Sequence, residues 1–498
     1  MKKLLMICLL IVATVHADEK VEKRKEALKE ESKTTEHKAQ IDGKTIAYQA
    51  TAGTYILKNK DDEKKASFFY VAYTKSDVKD QTKRPVTFCF NGGPGSSSVW
   101  LHMGVLGPKR VVTQGIGYID PPYHLTDNEY SILDLTDLVF IDPVSTGYSR
   151  AAPGEDPKQF HGVEEDIKSL SEFIRLFVTR NGRWESPKFL AGESYGTTRA
   201  AGLASELHRD NYMYLNGIIL VSSILNFQSQ IDYDGGNDLP YLTYLPSYTA
   251  TAWYHKMLPE DLQKDRAAAL KEAEEYANGE YALALMMGDR IDSETKARTV
   301  KKLARLTGLS PDYIARSRLR VPPLRFEKEL LRDRDLLVGR FDSRFTGIDT
   351  DPVSDQIGRD VSADVIFGPF TATFNEYLKE NLDWQQDEKY EILANVFPWN
   401  FDYGDAKHRY LNVTNKLRDV MVSNPAMRVF VASGIYDLAT PYYAMEYSLN
   451  HLGVPEELHS RIDKSYYDAG HMMYIHLPAL KKMKSDLTEY YRKTLNEG

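Results

Sequence analysis

The sequence predicts an α/β protein with a mostly parallel central sheet, antiparallel strands at its start and a helical insertion in its second half. Three observations support this prediction. Residues 41–75 alternate apolar and polar side chains in short runs separated by charged, turn-like clusters, which is typical of antiparallel hairpins. Short continuous apolar runs follow, and each ends in a loop containing Gly, Ser, Asp or Pro, as buried parallel strands do. Between about 230 and 390 this rhythm gives way to helical patterns.

The first 40 residues are expected to lie outside the folded core. Residues 1–17 combine a short basic start, an apolar run too short to span a bilayer and small residues before a cleavage position. This is typical of a secretory signal peptide, with a buried N-terminal helix as the alternative. Residues 18–40 mix charges of both signs with almost no apolar side chains, which predicts a charged flexible tether. The mature protein is therefore expected to be secreted or periplasmic and to lack a membrane segment.

The rest of the chain is predicted to form a core in two parts with a cap between them. Residues 41–230 and 391–498 form the two parts of the core. Residues 231–390 form the helical cap, because apolar side chains recur there at helical spacing. The predicted parallel strands of the core are 86–90, 138–141, 189–191, 218–221 and 429–432.

Composition excludes several classes of protein. Of 498 residues, 42% are hydrophobic and 27% are charged, so a sizeable core is expected and the chain as a whole is not disordered. The net charge of −8 argues against nucleic-acid binding, which needs a basic surface. Cys8 lies in the predicted signal peptide, so Cys89 is the one cysteine expected in the mature chain. An intrachain disulfide and a cysteine-based zinc site are then both excluded.

The strongest chemical signal is the segment 192–196, which reads GESYG. It follows a strand-like run and precedes a helical stretch, and this context is that of a nucleophile elbow, Gly-x-Ser-x-Gly. The turn predicts Ser194 as a nucleophile, which needs a base and an acid to orient that base. The α/β-hydrolase order is serine, acid, histidine. Asp437 and His471 follow in that order, each in a turn after an apolar or aromatic run.

A second glycine motif lies at residues 91–98, NGGPGSSS, directly after a predicted strand. A phosphate loop is one interpretation, but no Lys-Ser/Thr follows at the required spacing. The other is the oxyanion-hole loop of a hydrolase, which the elbow downstream favours. Its predicted donors are the backbone N–H groups of Gly93 and Tyr195.

Together these motifs resemble the serine carboxypeptidases. The resemblance covers about residues 80–225 and 425–475 and includes Asn128 and the segment 142–149, while residues 303–345 resemble the cap of bacterial members. It implies an α/β-hydrolase core with an inserted cap and the triad Ser194, Asp437 and His471. The family releases C-terminal residues from peptides with a free C-terminus and needs neither a metal nor another cofactor.

The resemblance also implies that Asn91 and Glu193 bind the carboxylate of the substrate. Glu193 can donate to a carboxylate only when it is protonated, so binding is expected to favour acidic pH. A structural carboxylate tied into the loop is the alternative for Glu193.

Three positions depart from the family pattern. Cys89 replaces a tryptophan, Ser96 replaces a cysteine, and Val105 replaces a second glutamate that normally pairs with the first. Because of the missing glutamate at Val105, the triad by itself does not imply an acidic optimum or a strict exopeptidase preference.

The predicted function is that of a secreted serine-type carboxypeptidase acting through an acyl-enzyme. One alternative is an esterase or acyltransferase that uses the same triad, because fold and triad do not select the acyl acceptor. The other is a non-catalytic binding protein on this scaffold. No nucleic-acid partner is expected, and the sequence does not indicate an oligomeric state.

Overall fold

A mixed sheet of ten strands organises the chain in the computed structural model, which describes residues 23–231, 235–404, 407 and 409–496. The predicted signal peptide, residues 1–17, and the start of the predicted tether lie outside the described residues. Within the described part of the chain, no helix has the length and apolar character needed to cross a bilayer.

The sheet has the predicted organisation, antiparallel at its start and parallel thereafter. The strands, including the two short hairpins β5–β6 and β11–β12, are β1 Ser32–Ile41, β2 Lys44–Lys58, β3 Lys64–Lys75, β4 Val86–Phe90, β5 Lys109–Val111, β6 Leu125–Asp127, β7 Asp137–Ile141, β8 Arg150–Ala151, β9 Lys188–Glu193, β10 Gly217–Val221, β11 Leu336–Val338, β12 Thr346–Ile348, β13 Arg428–Gly434 and β14 Ile462–Tyr467. In the sheet they lie in the order β1-β2-β3-β7-β4-β9-β10-β13-β14, and β8 pairs with β3 at one side. The first four strands in this order pair antiparallel, and every pairing from β7 to β14 is parallel.

Helices cover the sheet and build the insertion. The longer ones are α1 Val163–Arg180, α2 Tyr195–Asp210, α3 Leu239–Tyr254, α4 Arg266–Tyr276, α5 Ser293–Thr307, α6 Phe367–Leu382, α7 Thr414–Ser423, α8 Tyr442–Asn450 and α9 Leu477–Asn496. Shorter helices are Val99–Leu101, Glu260–Gln263, Ala282–Met287, Pro311–Arg316, Pro323–Glu329 and Glu456–His459.

The central strands are buried on both faces, as their continuous apolar runs predict. In β9, Phe189 and Ala191 belong to one apolar cluster and Leu190 belongs to the cluster on the opposite face. Successive side chains of a strand point to opposite faces, so one run of apolar residues serves two cores. A third cluster lies within the insertion and joins α3, α4 and α5. These observations confirm the predicted α/β fold class.

The prediction of a flexible tether over residues 18–40 is wrong for its second half. Residues 32–41 form strand β1, which pairs antiparallel with β2 over its whole length. Ala39 and Ile41 are buried, while Lys38 and Gln40, which alternate with them, are exposed. The many charges hid a short alternating pattern, because in an edge strand the solvent-facing positions are free to carry charge.

The predicted cap boundary at residue 390 also needs correction. Helix α6 lies inside the predicted cap, yet its side chains Phe370, Phe374 and Tyr377 belong to the same apolar cluster as Tyr48 and Tyr73 of the N-terminal strands. A helix with a continuous apolar face packs where it buries the most surface, and here that surface is the sheet.

Asp137 at the start of β7 anchors a buried ion network at the edge of the sheet opposite the carboxyl ends of the parallel strands. Its carboxylate accepts from Arg84 Nε at 2.6 Å and from Arg183 Nη1 at 2.7 Å. We expect Asp137→Ala to lower the free energy of unfolding by about 3–5 kcal/mol, because two buried guanidinium groups lose their counter-charge. Urea unfolding of this variant measures the loss. Glu260→Ala, which breaks an exposed pair with Lys264, is the control and should change little; equal effects would contradict the prediction.

Candidate active site

The predicted nucleophile lies in a sharp turn between a strand and a helix. Strand β9 ends at Glu193, Ser194 has φ 60° and ψ −131°, and α2 begins at Tyr195. A positive φ is strained for serine, and such strain is concentrated at functional turns. A Cβ atom on Gly192 would clash with the carbonyl oxygen of Gly196. The turn therefore requires glycine beside the serine, as the elbow motif predicts.

A cavity of about 600 Å³ opens at the elbow, at the carboxyl ends of the parallel strands. Ser194 and His471 both line it, and so do Asn91, Gly93 and Glu193. Much of the remaining wall is apolar and includes Trp100, Phe227, Ile366, Phe367, Phe397 and Met472. The structure thus brings the predicted nucleophile, base, oxyanion loop and carboxylate-binding pair to one cavity.

The predicted acid and base are in direct contact. His471 Nδ1 lies 2.8 Å from Asp437 Oδ2, and Asp437 is fully buried. The backbone N–H groups of Ala439 and Thr440 donate to Asp437 Oδ1 at 2.7 and 2.8 Å, and Thr440 Oγ1 donates to Oδ2 at 2.7 Å. These bonds hold the carboxylate in one orientation. With Nδ1 bonded to the acid, Nε2 of His471 is the ring nitrogen left for chemistry in the cavity.

The electrostatics of His471 favour its charged form. Burial lowers the pKa of the imidazole, but the charge of Asp437 and its hydrogen bond together outweigh burial, and the pKa of His471 is raised. Glu193 adds to this effect, while Arg340 opposes it. An imidazolium formed by proton transfer from the serine would therefore be stabilised.

A short segment of the insertion, residues 340–344, holds the loops that carry the acid and the base; we call it the clamp segment. The carbonyl of Phe341 accepts from His471 N at 2.5 Å, and its ring stacks on the imidazole with centroids 5.1 Å apart. Asp342 Oδ2 accepts from Gly470 N at 2.9 Å. On the loop that carries Asp437, Leu438 N donates to the carbonyl oxygen of Arg340 at 3.0 Å. Both loops are thereby fixed against the insertion.

The glycine loop packs directly against the elbow. A Cβ on Gly92 would lie 2.5 Å from the backbone nitrogen of Tyr195, so only glycine allows this approach. Gly93 has φ 97°, and Arg199 of α2 donates to the carbonyl of Asn91. The N–H of Tyr195 is at the start of α2, where the first N–H groups of a helix lack partners within the helix. Gly93 and Tyr195 both line the cavity, as the oxyanion-hole prediction requires.

Glu193 is a buried carboxyl group beside the predicted nucleophile. Its Oε2 accepts from the hydroxyl of Tyr474 at 2.7 Å, and Asn91 is a second hydrogen-bond partner. The amide oxygen of Asn91 accepts from Leu101 N at 3.0 Å, which leaves its NH₂ group as the donor. Burial raises the pKa of Glu193 to about 7, against the opposing effects of His471 and these hydrogen bonds.

Comparison with known proteins assigns the family. A family model described as serine carboxypeptidase matches residues 43–313, which is more than half of the chain. The chain belongs to the serine carboxypeptidase family.

Curated relatives in this family match part of the chain. Serine carboxypeptidase-like 36 of Arabidopsis thaliana is 31% identical over 36% of this chain and 36% of its own length. Carboxypeptidase Y homolog A of Talaromyces stipitatus is 28% identical over 36% of this chain and 30% of its own length. The chain thus spans about a third of the length of the curated relatives it matches.

A solved structure shares the fold over most of both chains. It is that of KEX1(Δ)p, a prohormone-processing carboxypeptidase from Saccharomyces cerevisiae. The similarity covers 89% of this chain and 91% of that chain, with a TM-score of 0.52 and 16% sequence identity. This likeness concerns the fold.

Of the three departures from the serine carboxypeptidase pattern, Ser96 lines the cavity, whereas Cys89 and Val105 are not among its lining residues. Cys89 is fully buried in β4, and burial raises the pKa of its thiol well above the ordinary value, which makes it a poor nucleophile. The hydroxyl of Ser96 accepts from Trp100 Nε1 at 2.8 Å. Val105 is buried in an apolar cluster. His102 is buried too, with Nε2 2.6 Å from the hydroxyl of Tyr73, so it packs in the core.

Several supporting residues escaped the sequence analysis. Thr440 had a local signal, because an aspartate in a turn typically accepts from the backbone N–H two residues on, which places the next residue beside its carboxylate. Arg199, Phe341 and Tyr474 had none. Each is far in sequence from at least one of its partners, so only the tertiary fold brings them to the site.

Proposed function

We propose that the protein is a serine-type carboxypeptidase that releases C-terminal residues from peptides. The observation that carries this proposal is that Glu193 and Asn91, a pair suited to bind a carboxylate, lie beside Ser194 in the same cavity. A peptide held there by its free C-terminus would present its last peptide bond to the serine. Family membership supports peptidase activity. Export is part of the proposal and rests on residues 1–17.

In the proposed reaction, Ser194 Oγ attacks the carbonyl carbon of that bond while His471 Nε2 accepts the hydroxyl proton. The N–H groups of Gly93 and Tyr195 stabilise the negatively charged oxygen. His471 then protonates the leaving nitrogen and the C–N bond breaks. The C-terminal residue departs, and an acyl ester remains on Ser194. His471 then deprotonates a water molecule, which attacks this ester. The C-terminally shortened peptide leaves as His471 returns the proton to Ser194.

Asp437 is proposed to keep the imidazole in the tautomer this sequence needs. A proton on Nδ1 directed at Asp437 leaves the lone pair on Nε2, where the serine proton is taken up. The two backbone N–H groups on Oδ1 hold the carboxylate in place while the imidazole gains and loses charge.

Recognition of the substrate carboxylate is proposed to require neutral Glu193. The protonated group donates a hydrogen bond, whereas the ionised group repels a second carboxylate. Because the pKa of Glu193 is raised to about 7 by burial, the neutral form predominates below that pH. His471 acts as a base only when neutral, and its raised pKa limits activity on the acid side. The activity on free-acid peptides should therefore follow a bell-shaped pH profile.

The test compares an N-blocked dipeptide with its C-terminally amidated twin across pH. We expect kcat/KM to favour the free acid, and the ratio of the two values to fall as pH rises through about 7. Above the midpoint the fall should be about tenfold per pH unit, as for the loss of one proton. The ratio isolates Glu193, because the titration of His471 affects both substrates alike.

Glu193→Gln provides the matched control. The amide is a permanent neutral donor of similar shape, so the preference for the free acid should persist and lose its pH dependence. A wild-type ratio near one at every pH, with simple esters turned over, would overturn the proposal in favour of an esterase or acyltransferase. Failure to react with a fluorophosphonate serine probe would support a binding protein instead.

A further inference from the structure

Tyr474 is a buried partner of the proposed carboxylate site. Its hydroxyl donates to Glu193 Oε2 at 2.7 Å, and the residue is only 2% exposed. It lies three residues after His471, in the same loop region. The ring occupies space that a Cβ on Gly104 would fill, so this glycine makes room for the tyrosine. The contact between Tyr474 and Glu193 is thus fixed by the packing around the ring.

The chemistry of this hydrogen bond is asymmetric. Burial raises the pKa of the Tyr474 hydroxyl well above its ordinary value, so the hydroxyl keeps its proton across the pH range in which Glu193 titrates. Val105, where the resemblance implies a second carboxyl group, is apolar and is buried in the same apolar cluster as Tyr474. The partner of Glu193 is therefore a hydroxyl group, which donates a hydrogen bond and keeps its own proton. With Oε2 accepting from Tyr474, the proton of neutral Glu193 has its place on Oε1.

We propose that Tyr474 is a positioning residue for substrate recognition. By donating to Oε2, it directs the proton of Glu193 to Oε1, where the C-terminal carboxylate of a peptide can accept it. The same bond stabilises the ionised form of Glu193 and so sets the pH above which free-acid peptides are no longer preferred. This inference rests on the proposed carboxypeptidase function.

Three other chargeable groups and one amide surround Glu193. His471 and Asp437 lie on the loops that carry the predicted base and acid, Arg340 of the clamp segment lines the same cavity, and Asn91 contributes a neutral amide from the glycine loop. Removing one hydroxyl group from Tyr474 leaves all of them in place. A change in the titration of Glu193 in such a variant therefore reports the hydrogen bond itself.

The experiment measures the ratio of kcat/KM for the free-acid and amidated dipeptides across pH in Tyr474→Phe. Loss of the donor destabilises ionised Glu193, so the midpoint of the fall should move upward by about one pH unit. The variant should then retain its preference for the free acid at a pH where the wild type has lost it. A role limited to packing would lower both activities equally and leave the midpoint unchanged.

Tyr491→Phe is the matched control. It removes another fully buried tyrosine hydroxyl, bonded to Thr87 Oγ1 at 2.6 Å outside the cavity, and should leave the midpoint at its wild-type value. An unchanged or lowered midpoint in Tyr474→Phe would overturn the inference. If the wild type itself shows no preference for the free acid, the proposed function fails first. In Tyr474→Phe combined with Glu193→Gln, the ratio should not depend on pH, and a residual midpoint would also overturn the inference.

Discussion

Ser194→Ala protein is expected to be folded, inactive and unreactive toward a fluorophosphonate probe. The hydroxyl is the proposed attacking group, and loss of the serine from a Ser-His-Asp site costs on the order of 10⁶ in kcat. Alanine keeps the Cβ atom that serine already holds at φ 60°, so the replacement adds no backbone strain. Hydrolysis of free-acid dipeptides and covalent labelling measure the loss, and the thermal unfolding midpoint should match that of the wild type.

Ser145→Ala offers a close control for this experiment. Ser145 also has a positive φ, 76°, and its hydroxyl lies 2.9 Å from His161 Nε2, but it does not line the cavity. It therefore reproduces a strained serine beside a histidine without the acid, the oxyanion donors or the substrate pocket. Labelling should persist in this variant. Labelling that survives in Ser194→Ala and disappears in Ser145→Ala would show that the nucleophile had been misassigned.

Asp437→Asn is expected to reduce kcat by about 10⁴-fold, the loss typical when the triad acid is replaced by its amide. The physical reason is that the two oxygens of the Asp437 carboxylate have different hydrogen-bond partners. Oδ1 accepts from two backbone N–H groups, so the oxygen of asparagine will occupy that side. The NH₂ group then faces His471 Nδ1 and favours the tautomer with its proton on Nε2, which cannot accept the serine proton.

Steady-state kinetics on the free-acid dipeptide measure this effect, with KM expected to change little because Asp437 does not line the cavity. Asp486→Asn is a suitable control, since that aspartate is also hydrogen-bonded to side chains, including Ser465 and Tyr467, but in a cluster away from the cavity. It should retain kcat within a few-fold. A near-normal kcat in Asp437→Asn would mean that another group orients the imidazole.

The site could be found from the sequence because its key residues sit in short local motifs. The elbow and the glycine loop need glycine at Gly192 and Gly92, because a side chain at either position would clash with the backbone. The glycines therefore identify both motifs in the sequence. Parallel strands then bring these motifs to one edge of the sheet, which follows from topology alone. The roles of Ser194, Asp437 and His471 stay predictions until the variants are measured.

What could not be predicted depends on long-range packing. Strand β1 carries so many charges that its alternation is visible only once β2 pairs with it. Helix α6 packs on the sheet although it lies within the predicted insertion. Tyr474 reaches Glu193 across 281 positions of sequence. Each of these contacts is decided by which surfaces meet in the fold, and a single sequence records only the local preferences of each segment.

The clamp segment bears on how this protein could be engineered. The insertion is an obvious candidate for exchange between homologues, because it contains its own apolar cluster. Yet Phe341 and Asp342 touch the histidine loop through the backbone and through a stacked ring. If the exchanged segment extends through residue 344, the side chains and backbone that contact the His471 loop come from the other homologue. Chimeras that retain residues 340–344 from the parent of the histidine loop should keep their turnover while acquiring the selectivity of the donor.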